Sequence, residues 1–401
     1  LITKPLRVLL TGGRAPVTLE LARILHDAGC EVYVAESAAY HLCRVSSAVA
    51  ASFRVPPPRT EPEGYIAALT ALIERCRIHL LVPMCEEIFY IAEGIARLPQ
   101  HCRVLAVRTE LLAKLHHKYS FASLAELHGC RVPSTRLITG ETQWRHAVRE
   151  AQDGTLVLKP AYSRFAARVI MPQQLRCSAG GPACTPAPPE LSPARPWVAQ
   201  RYVPGRAICT FSLASEGQLL AHAAYESKYR TGAVGASVHF MQLNHPAALA
   251  WVRRFVEATG LSGHVGFDFI DGEDGVLYAI ECNPRATSGL HLFRPLAGQY
   301  TAAILSGQQS DGGLLQPPPG SKAMLTLPMA ACGLRLAAQP RQWRAWLDAW
   351  RGTPDAVYRR GDSRPAWEQL RIVADAWRRS RSSGLSMTEV LTDDIEWNGE
   401  R

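Results

Sequence analysis

The first hundred residues alternate short apolar runs with helical stripes, and this alternation limits the fold more than any other feature of the chain. Arg7-Val8-Leu9-Leu10 reads as a buried strand, and Thr11-Gly12-Gly13 as the turn that ends it. From Val17 to Ala28, residues Val17, Leu21, Ile24, Leu25 and Ala28 share one helical face, and Gly29 stops the helix. Glu31–Ala35 is the next strand, and a further helix-and-strand unit runs from Gly64 to Pro83, ending in His79–Val82. Repeated strand–helix–strand units bury their strands as a parallel sheet with helices on both faces. Ligands of such sheets bind beyond the carboxyl ends of the strands, so the Thr11–Arg14 turn, Glu36 and Cys85-Glu86-Glu87 lie on the predicted ligand edge. The turn reads Gly-Gly-Arg-Ala-Pro-Val and lacks the third spaced glycine of a nicotinamide-binding loop, so a dinucleotide reading is set aside although Glu36 stands where a ribose-binding acid would.

The middle of the chain changes character. A strand at Val104–Val107 leads into helices striped by Leu111, Leu112, Leu115 and by Phe121, Leu124, Leu127. A strand over Thr135–Ile138, a helix over Glu141–Gln152 and a strand over Thr155–Lys159 follow. Residues 177–196 are rich in Pro, Gly, Ala and Ser and read as a mobile inserted loop. Strands resume at Trp197–Tyr202, Ala207–Ala214, Leu219–Tyr225 and Ser237–Leu243, with a helix over Ala247–Thr259. Val265–Ile270 and Gly275–Glu281 form a hairpin about the turn Asp271-Gly272-Glu273-Asp274. After residue 308 a Gln/Gly/Pro-rich linker enters a Trp-rich helical region.

The hairpin carries the chemistry. Its second strand runs into Ala-Ile-Glu-Cys-Asn-Pro-Arg, so Glu281, Asn283 and Arg285 are two apart and share a face in extended backbone. Asp268, in Gly-Phe-Asp-Phe-Ile, reaches the same face across the pair. Two carboxylates and an amide oxygen are a hard donor set that suits Mg²⁺, which keeps waters and shares its shell with phosphates. Arg285 beside them would grip phosphate or carboxylate oxygens in a bidentate way. A surface hairpin with ordinary charges is the alternative reading of the same residues.

The order of these features resembles the ATP-grasp superfamily, whose metal strand runs acid-x-Asn-x-Arg after an earlier acid-bearing strand, here Glu-Cys-Asn-Pro-Arg after Gly-Phe-Asp-Phe-Ile. The resemblance extends to about residue 307 and includes a parallel-sheet domain placed first, as in the carbamoyl-phosphate synthetase and biotin carboxylase branch. It implies an α/β and α+β chain: a pre-ATP-grasp domain over 1–108, a two-lobed ATP-grasp domain over 109–307 with its lid at about 130–203, and a small C-terminal region over 308–401. It implies ATP with Mg²⁺, or Mn²⁺ in its place, as cofactors. Lys159, ending Leu-Val-Leu-Lys-Pro, matches the nucleotide-contacting lysine of the lid, and Lys118, in His-His-Lys-Tyr-Ser, an earlier lysine that reaches phosphates. Gln200, Arg201, Tyr202 and Val203 match the hinge, where the backbone of Arg201 and Val203 would read a purine edge. Asp268, Glu281 and Asn283 take the metal positions, and Arg285 the position that stabilises the reacting group. Lys228 and Arg230 are candidates for the γ-phosphate or an acidic substrate, His239 and His291 for orienting substrate, and Ser288-Gly289 for backbone donors.

Two departures stand out. The lid loop Ala-Tyr-Ser-Arg-Phe-Ala-Ala-Arg has no glycine, leaving Ser163 and Arg164 as side-chain donors, and Gly205-Arg206-Ala207 has alanine where a ribose-binding acid is usual. The implied activity is formation of an acyl phosphate from a small carboxylate and its transfer to an amine. A carboxy- or carbamoyl-phosphate-forming enzyme and a nucleotide-binding regulatory protein without turnover remain open. The tail Thr-Asp-Asp-Ile-Glu-Trp-Asn-Gly either stays solvated or folds back to meet an amine through Asp393, Asp394 or Glu396.

Composition narrows the partners. Net charge is +9, but no Lys/Arg block is interleaved with aromatics, so nucleic acid is not expected and anionic small molecules are. Eleven cysteines without Cys-x-x-C or zinc spacing fit a reducing cytoplasm. No apolar run approaches the ~20 residues that span a bilayer, so no membrane partner is expected. The Trp-rich C-terminal region leaves room for a homodimer contact.

Overall fold

A computed structural model describes residues 5–162, 169–175, 188–230 and 237–399. In chain order its elements are β1 (Arg7–Thr11), α1 (Pro16–Asp27), β2 (Glu31–Glu36), β3 (Ala51–Arg54), α2 (Pro62–Cys76), β4 (Leu80–Val82), α3 (Glu87–Glu93), β5 (Arg103–Val104), α4 (Thr109–His116), α5 (Lys118–Leu127), β6 (Thr135–Ile138), α6 (Glu141–Gln152), β7 (Leu156–Pro160) and α7 (Pro172–Leu175). They continue with β8 (Trp197–Arg201), β9 (Gly205–Ser215), β10 (Gln218–Ser227), β11 (His239–Leu243), α8 (Pro246–Thr259), β12 (Gly263–Gly272), β13 (Leu277–Asn283), α9 (Ala297–Ser306), β14 (Lys322–Met324), α10 (Thr326–Leu336), α11 (Pro340–Gly352), α12 (Arg364–Ser383) and α13 (Met387–Val390). Proline at the first turn opens α1, α2, α8, α11 and α12, where a missing N–H breaks no helical bond.

The expected parallel sheet is present, with order β3-β2-β1-β4-β5 and every neighbour parallel. Alternation along β1 sends Val8 and Leu10 into the core under α1, with Leu21 and Leu25, and Leu9 into the core under α2, with Leu69 and Ile73. The residue types thus fix both faces at once. A six-stranded antiparallel sheet, β13-β12-β9-β10-β11-β14, forms the second body, and the three-stranded β6-β8-β7 forms a smaller one backed by α6. On the large sheet, Phe267, Phe269 and Ile208 face α5 and α8, packing with Phe121, Trp251 and Phe255. Phe211 and Leu213 point the other way, toward Tyr300 of α9 and the residues of α1.

The structure adds elements and trims one. β3 is short and mixed in polarity, so periodicity did not reveal it. The strand expected at Val104–Val107 is only Arg103–Val104. Within the expected C-terminal linker and helices, β14 pairs with β11 and becomes an edge of the large sheet. Arg23 of α1, 3% exposed, reaches the same C-terminal segment: it donates to Asp362 at 2.9 Å and to the carbonyls of Ala356 and Val357 at 3.2 and 2.9 Å. The stretch after residue 308 is therefore tied to both preceding bodies.

Where the three-stranded sheet joins the large one, Gly205 pairs with Gly272 of β12. A Cβ on Gly205 would lie 2.3 Å from the Asp271 carbonyl, a contact that only a backbone shift relieves. Gly205→Ala should cost about 1–3 kcal/mol, read as a lower urea midpoint with unchanged slope.

Candidate active site

The hairpin of β12 and β13 contains a register defect. Asp268 of β12 pairs with Glu281 of β13, but the next residue, Phe269, pairs with Ala279, so Ile280 is an extra residue on β13. Such a bulge re-aims side chains and leaves a carbonyl outside the ladder. Lys159, at the end of β7, donates to the Ile280 carbonyl at 3.1 Å. The defect therefore ties the small sheet to the hairpin beside its two acids.

The carboxylates are charged neighbours in a buried place. Burial, then the adjacent Glu281, push the Asp268 carboxyl above its usual range, while the Cys209 thiol, Arg230 and Arg285 pull the other way. Burial also works against Glu281, but Lys118, Lys159, His116 and Arg285 together hold it below its usual value. Lys118 opens α5 just after the break at His117, and its Nζ lies 3.6 Å from Glu281 Oε2 with the lysine side chain 2% exposed. Burial pulls the Lys159 ammonium down to about 8, with Glu281 opposing and Lys118 adding to the fall. Two lysines from separate elements thus act on one carboxylate, Lys118 by an ion pair and Lys159 by its charge from the adjacent Ile280 carbonyl.

Asn283 bridges Asp268 to the arginine. Its Nδ2 donates to Asp268 Oδ2 at 3.2 Å, and its Oδ1 accepts from Arg285 Nη2 at 3.1 Å. The expected metal-ligand oxygen is thus engaged by Arg285, and ligation would need the amide turned over. Arg285 also lies 3.8 Å from Oε1 of the fully buried Glu86, at the carboxyl edge of the parallel sheet. Arg230 is close enough for its charge to act on Asp268. Lys228 is exposed and rests against the ring of Tyr229, 5.7 Å from its centroid.

Other expectations are modified. Gln200, 4% exposed, donates to Thr135 Oγ1 at 3.0 Å, the Arg201 N–H to the Ser134 carbonyl at 2.8 Å, and the Tyr202 N–H to the Thr155 carbonyl at 2.7 Å. The backbone N–H of Arg201 therefore serves the small sheet rather than a purine; Val203, buried, follows it. His291 bonds Glu20 at 3.0 Å and His239 bonds Thr353 at 3.0 Å, both buried, so they join elements instead of facing substrate. Ser163 and Arg164, and residues 177–187 of the expected mobile loop, lie outside the described residues.

Sequence reasoning left the tail undecided, and the structure places it at the site. Asp394 takes two bonds from Arg14, at 2.6 and 2.8 Å, and one from Ser37 at 2.6 Å. Arg14 also pairs with Glu36, so that acid is engaged and no longer available to a ribose. Asp393 is held by Arg379 and Glu396 by Arg59, so these three carboxylates meet arginines of the chain, not an amine. Trp397 stacks on Phe89 at 4.4 Å and touches Tyr162 and His116, while its backbone N–H donates to Glu86 Oε2 at 3.4 Å. The strap thus ends on the residue that faces Arg285. The acidic composition around Trp397 was the only sequence signal for this.

Acid should release the strap. Burial raises Glu36 and Asp394, but Arg14 outweighs it and both carboxyls sit below their usual values. Groups lowered by folding add stability above their unfolded pKa of about 4 and lose it as pH falls through the lower folded value. Hydrogen-exchange protection at residues 391–399, relative to the intrinsic rate at each pH, should therefore fall below about pH 4, and Asp394→Asn should lower it at neutral pH.

The donor set can be tested against the group it suggests. Among the described residues no three His, Cys, Asp or Glu side chains stand together as a metal-binding group. Two neighbouring carboxylates, one of which raises the proton affinity of the other, plus one amide, fit an ion that keeps waters and phosphate oxygens in its shell, as Mg²⁺ does. A divalent cation there would also relieve the repulsion that disturbs Asp268.

Neither a protein-family model nor a curated protein sequence matches the chain. Solved structures do. The ADP complex of PurK, an N5-carboxyaminoimidazole ribonucleotide synthetase, aligns over 76% of this chain and 78% of its own at 15% identity, TM-score 0.58. The biotin carboxylase domain dimer of Hydrogenobacter thermophilus 2-oxoglutarate carboxylase, solved with MgADP and bicarbonate, aligns over 77% and 71% at 12% identity, TM-score 0.56. An L-amino acid ligase from Bacillus licheniformis aligns over 75% and 71% at 13% identity, TM-score 0.52. The chain has the ATP-grasp fold, with a parallel-sheet body preceding it. Among the described residues no helix is long and apolar enough to cross a membrane.

Proposed function

We propose that the chain is an ATP-dependent ligase that activates a small carboxylic acid and joins it to an amine, releasing ADP and phosphate. The observation that carries this reading is the convergence of Lys118 and Lys159 on Glu281, itself paired with Asp268 across the hairpin. Lysines buried against a carboxylate are costly to keep unless a polyanion and its cation complete the site. Mg²⁺ held by Asp268, Glu281 and a turned Asn283 would neutralise charge developing between the β- and γ-phosphates.

Lys118 and Lys159 would then lie against phosphate oxygens. Arg285, freed from the amide, would orient the acid so that its oxygen attacks the γ-phosphorus and ADP leaves. The amine nitrogen then attacks the acyl carbon, phosphate departs, and the amine loses a proton. The chain's part is positioning and charge stabilisation, with no side-chain nucleophile. Arg230 is the further cation on that face, while Ser163 and Arg164 remain candidate lid donors.

Bicarbonate as the activated acid is the second reading, favoured by the biotin carboxylase neighbour captured with it. Phosphate release should be measured with pooled acids and amino acids, with bicarbonate, and with hydroxylamine as trap. The ligase reading expects release that requires Mg²⁺ and an acid, and a hydroxamate on trapping. Bound nucleotide with no release under any combination would instead assign the chain a regulatory role.

A further inference from the structure

The longest helix, α12, packs on the protein with Pro365, Glu368 and Ala376 and turns an apolar ridge outward. Trp367, Leu370 and Trp377 are 71%, 56% and 51% exposed, and Ala374 between them is exposed as well. These residues are spaced three and four apart, the spacing of the a and d positions of a helix-pairing seam. A monomer has no reason to present two tryptophans and a leucine in line to water. One rim of the seam is basic: Arg371 and Arg378 lie seven apart, each directly after a d position. Arg44 stands below them, and a groove of about 510 Å³ runs along this rim, lined by Tyr40, Arg44, Leu370, Arg371, Ala374 and Arg378. Glu368, the acid that Arg44 and Arg371 share, is 3% exposed and lies beneath the rim. Arg378 makes no ion pair among the described residues, and Arg381 lies over the ring of Trp377, extending the positive charge along the seam.

We propose that this ridge is the docking surface for an acidic amphipathic helix of another protein. The chemistry selects that occupant. Apolar residues at a and d would interlock with the ridge, and Glu or Asp flanking them would meet Arg371 and Arg378. A second copy of this chain fits poorly: antiparallel pairing sets Arg371 and Arg378 against their own counterparts, and parallel pairing sets Arg381 against Arg381. The surface is separate from the proposed active site, so the inference does not depend on the ligase reading.

The test uses the full chain and two synthetic helical peptides of about four heptads, long enough to form helix on binding. Both carry Leu at a and d; one has Glu at e and g, the other Lys. Anisotropy titration should show the Glu peptide binding at least about tenfold more tightly, with the margin shrinking in salt. The double variant R371E/R378E should invert the preference, and Leu370→Asp should abolish binding while leaving the circular dichroism spectrum unchanged. Equal binding of the two peptides, or binding of neither, overturns the proposal. So does sedimentation as a dimer that Leu370→Asp dissolves, which would make a second copy the occupant. Binding to phosphatidylserine vesicles that Leu370→Asp removes, with no peptide binding, would assign the ridge to a membrane surface instead.

Discussion

Glu281→Gln should reduce acid- and Mg²⁺-dependent phosphate release by roughly 10²–10³-fold, the scale seen when one preorganised electrostatic group is removed from an active site. It should also destabilise the ligand-free protein. Lys118 would lose its ion pair and Lys159 the nearby negative charge that supports its ammonium, and an unsatisfied buried charge costs about 1–3 kcal/mol or more. Asp268→Asn should lower activity comparably with the opposite effect on stability, because it removes the charge that burial and Glu281 already disfavour. Thermal melts with and without Mg²⁺ separate the two variants. The wild type should gain stability from Mg²⁺ by mass action, Asp268→Asn should start higher and gain less, and Glu281→Gln should start lower. A Glu281→Gln enzyme with full Mg²⁺-dependent turnover would remove the basis of the ligase proposal.

Trp397→Ala is the second large effect. Truncating a buried tryptophan costs about 3–5 kcal/mol, and this one stacks on Phe89 and touches Tyr162 and His116. Because Trp397 lies near the end of a strap, the loss should appear as local opening. Hydrogen exchange should rise at residues 391–399 and in α3, with little change in the core of the parallel sheet. If the strap walls the acid or amine pocket through Glu86, the KM for that substrate should rise about tenfold or more while the KM for ATP stays unchanged. Removal of residues after Thr392 should reproduce the faster exchange in α3 and the KM change; unchanged exchange at residues 391–399 and in α3 of Trp397→Ala would mean that the strap is not held by its tryptophan.

The hairpin was legible because side-chain direction in a strand has a period of two, so Asp268 and Glu281 could be assigned to one face before their pairing was seen. The parallel sheet was legible for the analogous reason, from alternating strand runs and 3.6-residue stripes. Other features depend on contacts between distant parts of the chain. The extra residue at Ile280 leaves no mark on composition, yet it presents the carbonyl that Lys159 meets. The approach of Lys118 to Glu281, the Asp394–Arg14 clasp and the Glu86–Arg285 contact join residues far apart in sequence and have no local pattern. Which N–H groups of Arg201 and Tyr202 the small sheet consumes depends on Ser134 and Thr155, which periodicity does not reveal.

The three residues of β14 have a consequence beyond their size. They cover the open side of β11, whose backbone would otherwise be a template for strands of other molecules. A protein cut after residue 307 would lose that shield and leave Arg23 without Asp362, so it should form intermolecular sheet before its chemistry could be assayed. The C-terminal quarter thus also acts as the molecule's guard against aggregation.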